Sequence, residues 1–175
     1  IQKGTNSVDC PADSKFGNFD EGLQIQAVVT GPKFEASAGK LDGYFIATPG
    51  VATTSAWNGI ELVVDIAQAT AFKVGDTLTV TGQHVEYYCN TQLDATSVAA
   101  TGTGTAPAPL EIDPADLGSQ DKAKAEALEG VLVKVKNVTV TNANPDAPSD
   151  YGTFQVTGGL LVGDLYKPSY SAKDS

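Results

Sequence analysis

Between Leu23 and Val29 the chain alternates. Leu23, Ile25, Ala27 and Val29 fall on one face and Gln24 and Gln26 on the other, the period-two pattern of a half-buried strand. A turn-rich stretch, "GPKFEASAGKLDG" (31–43), leads to two apolar runs, "YFIAT" (44–48) and "GIELVVDI" (59–66), which read as strands. The loop between them is rich in Gly, Thr and Ser and holds the only tryptophan, Trp57. Residues 72–101, "FKVGDTLTVTGQHVEYYCNTQLDATSVAAT", predict a long strand pair or one strongly bent strand. There the apolar parity switches from Leu78 and Val80 to Val85 and Tyr87, which predicts a bulge or tight bend at Gly82.

After a linker-like crossing at 102–113, "DPADLGSQDKAKAEALEG" predicts one helix over about 114–129, with Asp and Pro at its start and Gly130 past its end. The stretch "EGVLVKVKNVTVT" (129–141) echoes "EGLQIQAVVT" (21–30), and a parity switch from Val131, Val133 and Val135 to Val138 and Val140 predicts a bulge at Asn137. "GTFQVTGGLLVGDLY" (152–166) supplies one or two closing strands. Strands, one late helix, then strands again predict a mainly all-β chain: a small, strongly bent antiparallel barrel with one inserted helix. The expected organisation is an irregular N-terminal segment (1–21), a barrel domain (22–166) and a polar C-terminal tail (167–175).

Composition narrows the function classes. At 175 residues one core is attainable without metals or many disulfides. No apolar run approaches the roughly 20 residues of a membrane helix. Net charge is −10, and all 11 basic residues are lysine. Without arginine the guanidinium fork that grips phosphate and guanine is missing, so the field of the whole chain argues against nucleic acid as a partner. The start at Ile1 is that expected of a processed product.

Several motifs then resemble a known family. "IQKGT", "GYFIATP", "FKVGDTLTVTGQHVEYYCNTQL" and "AEALEGVLVKVKNVTVT" look like the OB-fold-type domain of bacterial secreted proteins, found beside extracellular endonuclease/exonuclease/phosphatase-type nucleases and in myxobacterial-type surface lipoproteins. The resemblance covers roughly 22–166 and implies an OB-like barrel and an extracellular or cell-surface setting. It brings no catalytic residue, because the nuclease motifs belong to a separate domain. Cys89 stands where the family pattern has a small residue, and the family's strands continue past "DLY" whereas this chain ends in "KPSYSAKDS". The expected function is a non-catalytic extracellular structural or interaction module; an unpaired barrel strand left by that ending would be a template for another chain, so self-assembly as a surface or fibre subunit is one form it could take. A nucleic-acid- or polysaccharide-binding accessory domain is the alternative.

The candidate residues follow. Cys10 and Cys89 are expected to form one disulfide in an oxidising compartment, tying the N-terminal segment to the long strand. His84 lacks an evident orienter and nucleophile, so with Glu86 it is expected to be a solvated surface pair and no enzyme is expected. Tyr44, Trp57 and Tyr88 are candidates for a ligand-stacking surface. Asn142, Asn144, Asp146 and Asp150 partly imitate a calcium loop but lack its sixth-position glycine and closing glutamate; calcium is the one cofactor considered. Asn137 heads an "NVT" glycosylation pattern. The bridge has a direct check: non-reducing mass spectrometry is expected to find Cys10 and Cys89 joined, and two free thiols in material made without reductant would refute it.

Overall fold

A computed structural model describes residues 15–68, 71–87, 90–118, 122–163 and 165–166. Strands account for 49% of it and helices for 7%, so the chain is all-β as the strand patterns required. Two compact units share it, where one barrel domain over 22–166 was expected. The first takes the described residues up to Leu110 with Glu126–Val133; the second takes Glu111–Ala125 with the described residues from Lys134 onward.

The first unit contains β1 (Lys15–Val29), β2 (Phe34–Ser37), β3 (Leu41–Ala47), β4 (Gly59–Asp65), β5 (Asp76–Tyr87) and β6 (Asn90–Thr103). They pair in the order β1-β5-β6-β4-β3-β2, and β3 also pairs with β1, so five strands close into a ring with β2 on its flank. This is an OB-like barrel. One expectation is corrected, since the barrel is not antiparallel throughout: β4 and β6 run parallel, with Leu62 opposite Leu93. A ring of five strands has an odd number of joints, and alternation of direction must fail at one of them. Closure is also incomplete. β1 meets β3 only at Val28/Ala47 and Val29/Ile46, while β5 accompanies β1 over nearly its whole length.

Alternation fills the ring. Ala27, Val29, Ile46, Leu62, Val64, Leu78, Val80 and Leu93 face inward and are almost fully buried. Tyr44 joins them, its ring edge-on to Phe72 with centroids 5.3 Å apart.

The bend at Gly82 is present, but the predicted parity switch is not. Along β5 the even positions Leu78, Val80, Gly82, His84 and Glu86 are all buried. The neighbours absorb the bend instead. β1 takes four residues, Phe19 to Leu23, to pass the two from His84 to Gly82, and β6 carries an extra residue at Thr96, between Ala95 and Ser97. Gly82 has to be glycine because a Cβ there would lie 2.4 Å from the Asp94 carbonyl oxygen. The same pairing corrects the irregular lead-in: residues 15–21 belong to β1, held by β5 rather than by any alternation of their own. Residues 1–14 lie outside the described part.

The loop between β3 and β4 is tied down by Thr54, which is 2% exposed. Its hydroxyl donates to the Leu132 carbonyl at 2.6 Å and accepts from the Leu110 N–H at 2.9 Å.

β7 (Leu110–Glu111) and β8 (Val133–Lys134) pair with each other, and each holds a point where the chain passes between units. Where one helix over 114–129 was expected, the described residues show α1 (Pro114–Gly118) and α2 (Lys122–Leu128), with residues 119–121 between them not described. Asp113 caps α1, its Oδ1 accepting from the Ala115 N–H at 2.9 Å. In the second unit β9 (Val140–Asn142), β10 (Phe154–Val156) and β11 (Leu161–Val162) form a small sheet in the order β11-β10-β9. The expected echo of 21–30 at 129–141 does not form a matching strand. Asn137, at φ 56°, turns the chain between β8 and β9 where a bulge was predicted.

Replacing Gly82 by alanine is expected to lower the unfolding free energy in a urea melt by about 1–3 kcal/mol. Gly102→Ala, whose Cβ would meet only Thr77 Oγ1 at 3.3 Å, should cost less. Equal costs would show that the Asp94 approach does not constrain the bend.

Candidate functional site

Two places in the barrel unit bring polar side chains together. The first is the β5–β6 hairpin end. Because β5 keeps its parity through Gly82, His84 and Glu86 follow Leu78 and Val80 inward, and the expected solvated pair is instead buried, at 5% and 8% exposure. A buried carboxylate needs donors. Glu86 accepts from Thr91 Oγ1 at 2.5 Å, and the Thr91 N–H donates to Glu129 Oε2 at 3.2 Å. Burial raises the Glu129 carboxyl from its ordinary 4.5 to about 7; the nearby charges of Glu126 and Glu86 add to the rise, and the bonds from Thr91 oppose it. On the outer face Asn90 Nδ2 donates to Glu61 Oε2 at 2.7 Å, and Gln92 Nε2 to Asp94 Oδ1 at 2.5 Å. Burial pushes both of these carboxyls upward as well. The group is a polar latch on the hairpin that takes up a proton near neutrality. Among the described residues no group of three or more His, Cys, Asp or Glu side chains is placed to hold a metal.

The second place is the seam where β1 and β3 part. A cleft of about 200 Å³ opens there, lined by Ile25, Gln26 and Ala27 of β1, Ile46, Ala47 and Thr48 at the end of β3, and Trp57 to Ile60 at the start of β4. Its far wall is a tight turn in which the Asn58 N–H donates to the Ser55 carbonyl at 3.1 Å. Trp57 occupies the third position of that turn with φ 65°, a conformation in which glycine is the usual residue. The Ala127 carbonyl holds it there, accepting from the Trp57 N–H at 2.7 Å. Behind it Gly59 and Gly130 touch so closely that a Cβ on Gly59 would lie 2.3 Å from the Gly130 carbonyl oxygen. Trp57 stays 37% exposed. Asn58 Oδ1 is buried and has no hydrogen-bond partner among the described residues. An exposed aromatic ring on a left-handed backbone, beside an unused acceptor, is a costly arrangement of the kind found where ligands bind.

The candidates read from the sequence separate. Tyr44 is inside the barrel at 0% exposure, so it offers no stacking face with Trp57. Tyr88, Cys10 and Cys89 lie outside the described residues. In the candidate calcium loop four side-chain oxygens accept hydrogen bonds from within the loop. Asn142 Oδ1 accepts from Asn144 N–H, Asn144 Oδ1 from Asp146 N–H, and Asp150 Oδ1 from Gly152 N–H, at 3.0, 3.2 and 3.1 Å. Asp146 Oδ2 accepts from Thr153 Oγ1 at 2.6 Å. The first three are turn-capping bonds. Asn137 is exposed, and it sits at a turn rather than in the strand expected for it. Sequence reasoning missed Gln26, Asn58 and Glu129. A lone tryptophan in a turn-rich loop is the only signal near the cleft, and by pattern Glu129 reads as the end of the helix and the entry to the 129–141 stretch.

The latch has a pH consequence. A carboxyl raised in the folded state binds its proton more tightly there than in the unfolded chain, so its contribution favours folding below about 4.5 and declines as pH rises to about 7. Glu61 and Asp94 act in the same direction. Glu129→Gln keeps an acceptor for Thr91 without the charge. It is expected to flatten this part of the profile and to raise stability at about pH 8 by roughly 1–2 kcal/mol, solvent screening included. Denaturant melts across the range check it, and an unchanged slope would refute the assignment.

No known family model matches the sequence, and comparison with curated proteins finds no match either, so the architecture and these two places carry what can be said of function.

Proposed function

We propose that the chain is a non-catalytic interaction module of an extracellular protein, working through the open seam of its barrel. The observation that carries this reading is the Trp57 cleft, since the chain spends backbone strain there to hold an aromatic ring at an opening. The resemblance to domains of bacterial secreted proteins supports the extracellular setting. The charge of −10 and the absence of arginine argue for neutral partners over polyanions.

A second reading, self-assembly into a surface polymer, draws on a different feature. Among the described residues β1 has a ladder partner only in β5 until Val28, which leaves one side of a long strand open to strand addition by a neighbouring copy.

Two measurements test these readings. Light scattering over a range of concentrations decides assembly: a monomer throughout removes the polymer form and leaves the monomeric module. Titration with single-stranded and duplex DNA and with RNA at about 150 mM salt is expected to give no sub-micromolar binding, an affinity that belongs to specific complexes. Such binding would overturn the neutral-partner reading.

A further inference from the structure

We infer that the seam cleft binds one neutral pyranose ring of a saccharide, stacked on Trp57 with its hydroxyl rim on Gln26 and Thr48; this rests on the module reading above. At about 200 Å³ the cleft is smaller than the roughly 300–1,000 Å³ of sites for drug-sized ligands, so it takes a single ring and leaves the rest of a chain outside. Its walls ask for two chemistries at once. Trp57 and Ile25 present apolar surface suited to a flat C–H face. Gln26, Thr48 and Asn58 put polar groups in the same lining.

A pyranose carries a flat apolar face and a rim of hydroxyls, each both donor and acceptor. Gln26 and Thr48 stand at the edge of the same cleft to exchange hydrogen bonds with that rim. A nucleobase would also stack and donate, but it arrives on a polyanion that a chain of net charge −10 repels. An anionic sugar meets the same objection. The backbone supports the assignment, because Trp57 at φ 65° occupies a position that glycine would fill without strain. A tryptophan kept there at a conformational cost is kept for its ring.

Trp57 is the only tryptophan, so the protein reports on its own cleft. The intact protein is titrated with the neutral tetrasaccharides of glucose, galactose and mannose, and indole emission is followed. At least one is expected to give a saturable shift with Kd on the order of 0.1–1 mM, as befits a single-ring contact. By calorimetry Trp57→Gly and Gln26→Ala should each weaken that binding at least about tenfold. Neither variant should melt much earlier than the parent protein, because glycine suits the turn and the Gln26 side chain is exposed. That combination separates a binding role from a structural one. Absence of a saturable change with every tetrasaccharide up to about 10 mM overturns the inference, as does binding that survives both substitutions. Saturation by an extended peptide instead of a sugar overturns it in favour of strand addition. The scattering measurement bears on the module's assembly alone, so a failed sugar titration removes the ligand class without touching that result.

Discussion

A ring of five strands cannot alternate direction at every joint, and much of this barrel follows from that parity. The hairpin makes β6 antiparallel to β5, while β5 and β3 each run antiparallel to β1. β4, antiparallel to β3, must then run the same way as β6, and the one parallel joint falls between them. Placing β6 beside β4 needs a chain that can cross the barrel, and the long, bent β5–β6 hairpin provides it. The bend in turn requires Gly82, where the Asp94 carbonyl leaves no room for a side chain.

The same geometry decides what is buried at the hairpin end. A bend produced by extra residues in β5 would have turned His84 and Glu86 outward. Here the extra residues lie in β1 and β6, so β5 runs through with its faces unchanged and takes polar groups into the interior. Their burial is tolerable because Thr91 serves two carboxylates, its hydroxyl bonding Glu86 and its N–H bonding Glu129. Glu129 stands on the segment that also supplies the Ala127 carbonyl to Trp57 and the Gly130 contact behind Gly59. Hairpin end and cleft wall therefore share one short stretch of chain within the barrel unit.

Incomplete closure is the other consequence. Two residue pairs join β1 to β3, and beyond them the strands separate with a strained turn beside the gap. A fully paired seam would be more stable and would have no opening. Local strain, an unused acceptor and a partly exposed indole at one place run against the consistency seen in the rest of the barrel, and such departures are expected at working surfaces.

Alternation and turn residues were enough to determine that this chain is all-β, that Leu23 to Val29 has its odd positions inside, that a bend falls at Gly82, and that a helix starts after Asp113. These are local matters, set by side-chain period and by backbone conformations that few residues adopt. Tertiary structure alone decided the rest. Residues 15–21 show no period of their own and are strand because β5 pairs with them. Tyr44 looked like a surface aromatic and is core, because its strand lies in a closed ring. Val85 and Tyr87 appeared to continue the apolar face, yet the inner face belongs to His84 and Glu86, because register is set by the neighbouring strands and not by the hydrophobicity of one. The cleft is further still from the sequence. Gln26, Thr48 and Asn58 come from three separate segments, and they meet only because a five-stranded ring stops closing after two pairs.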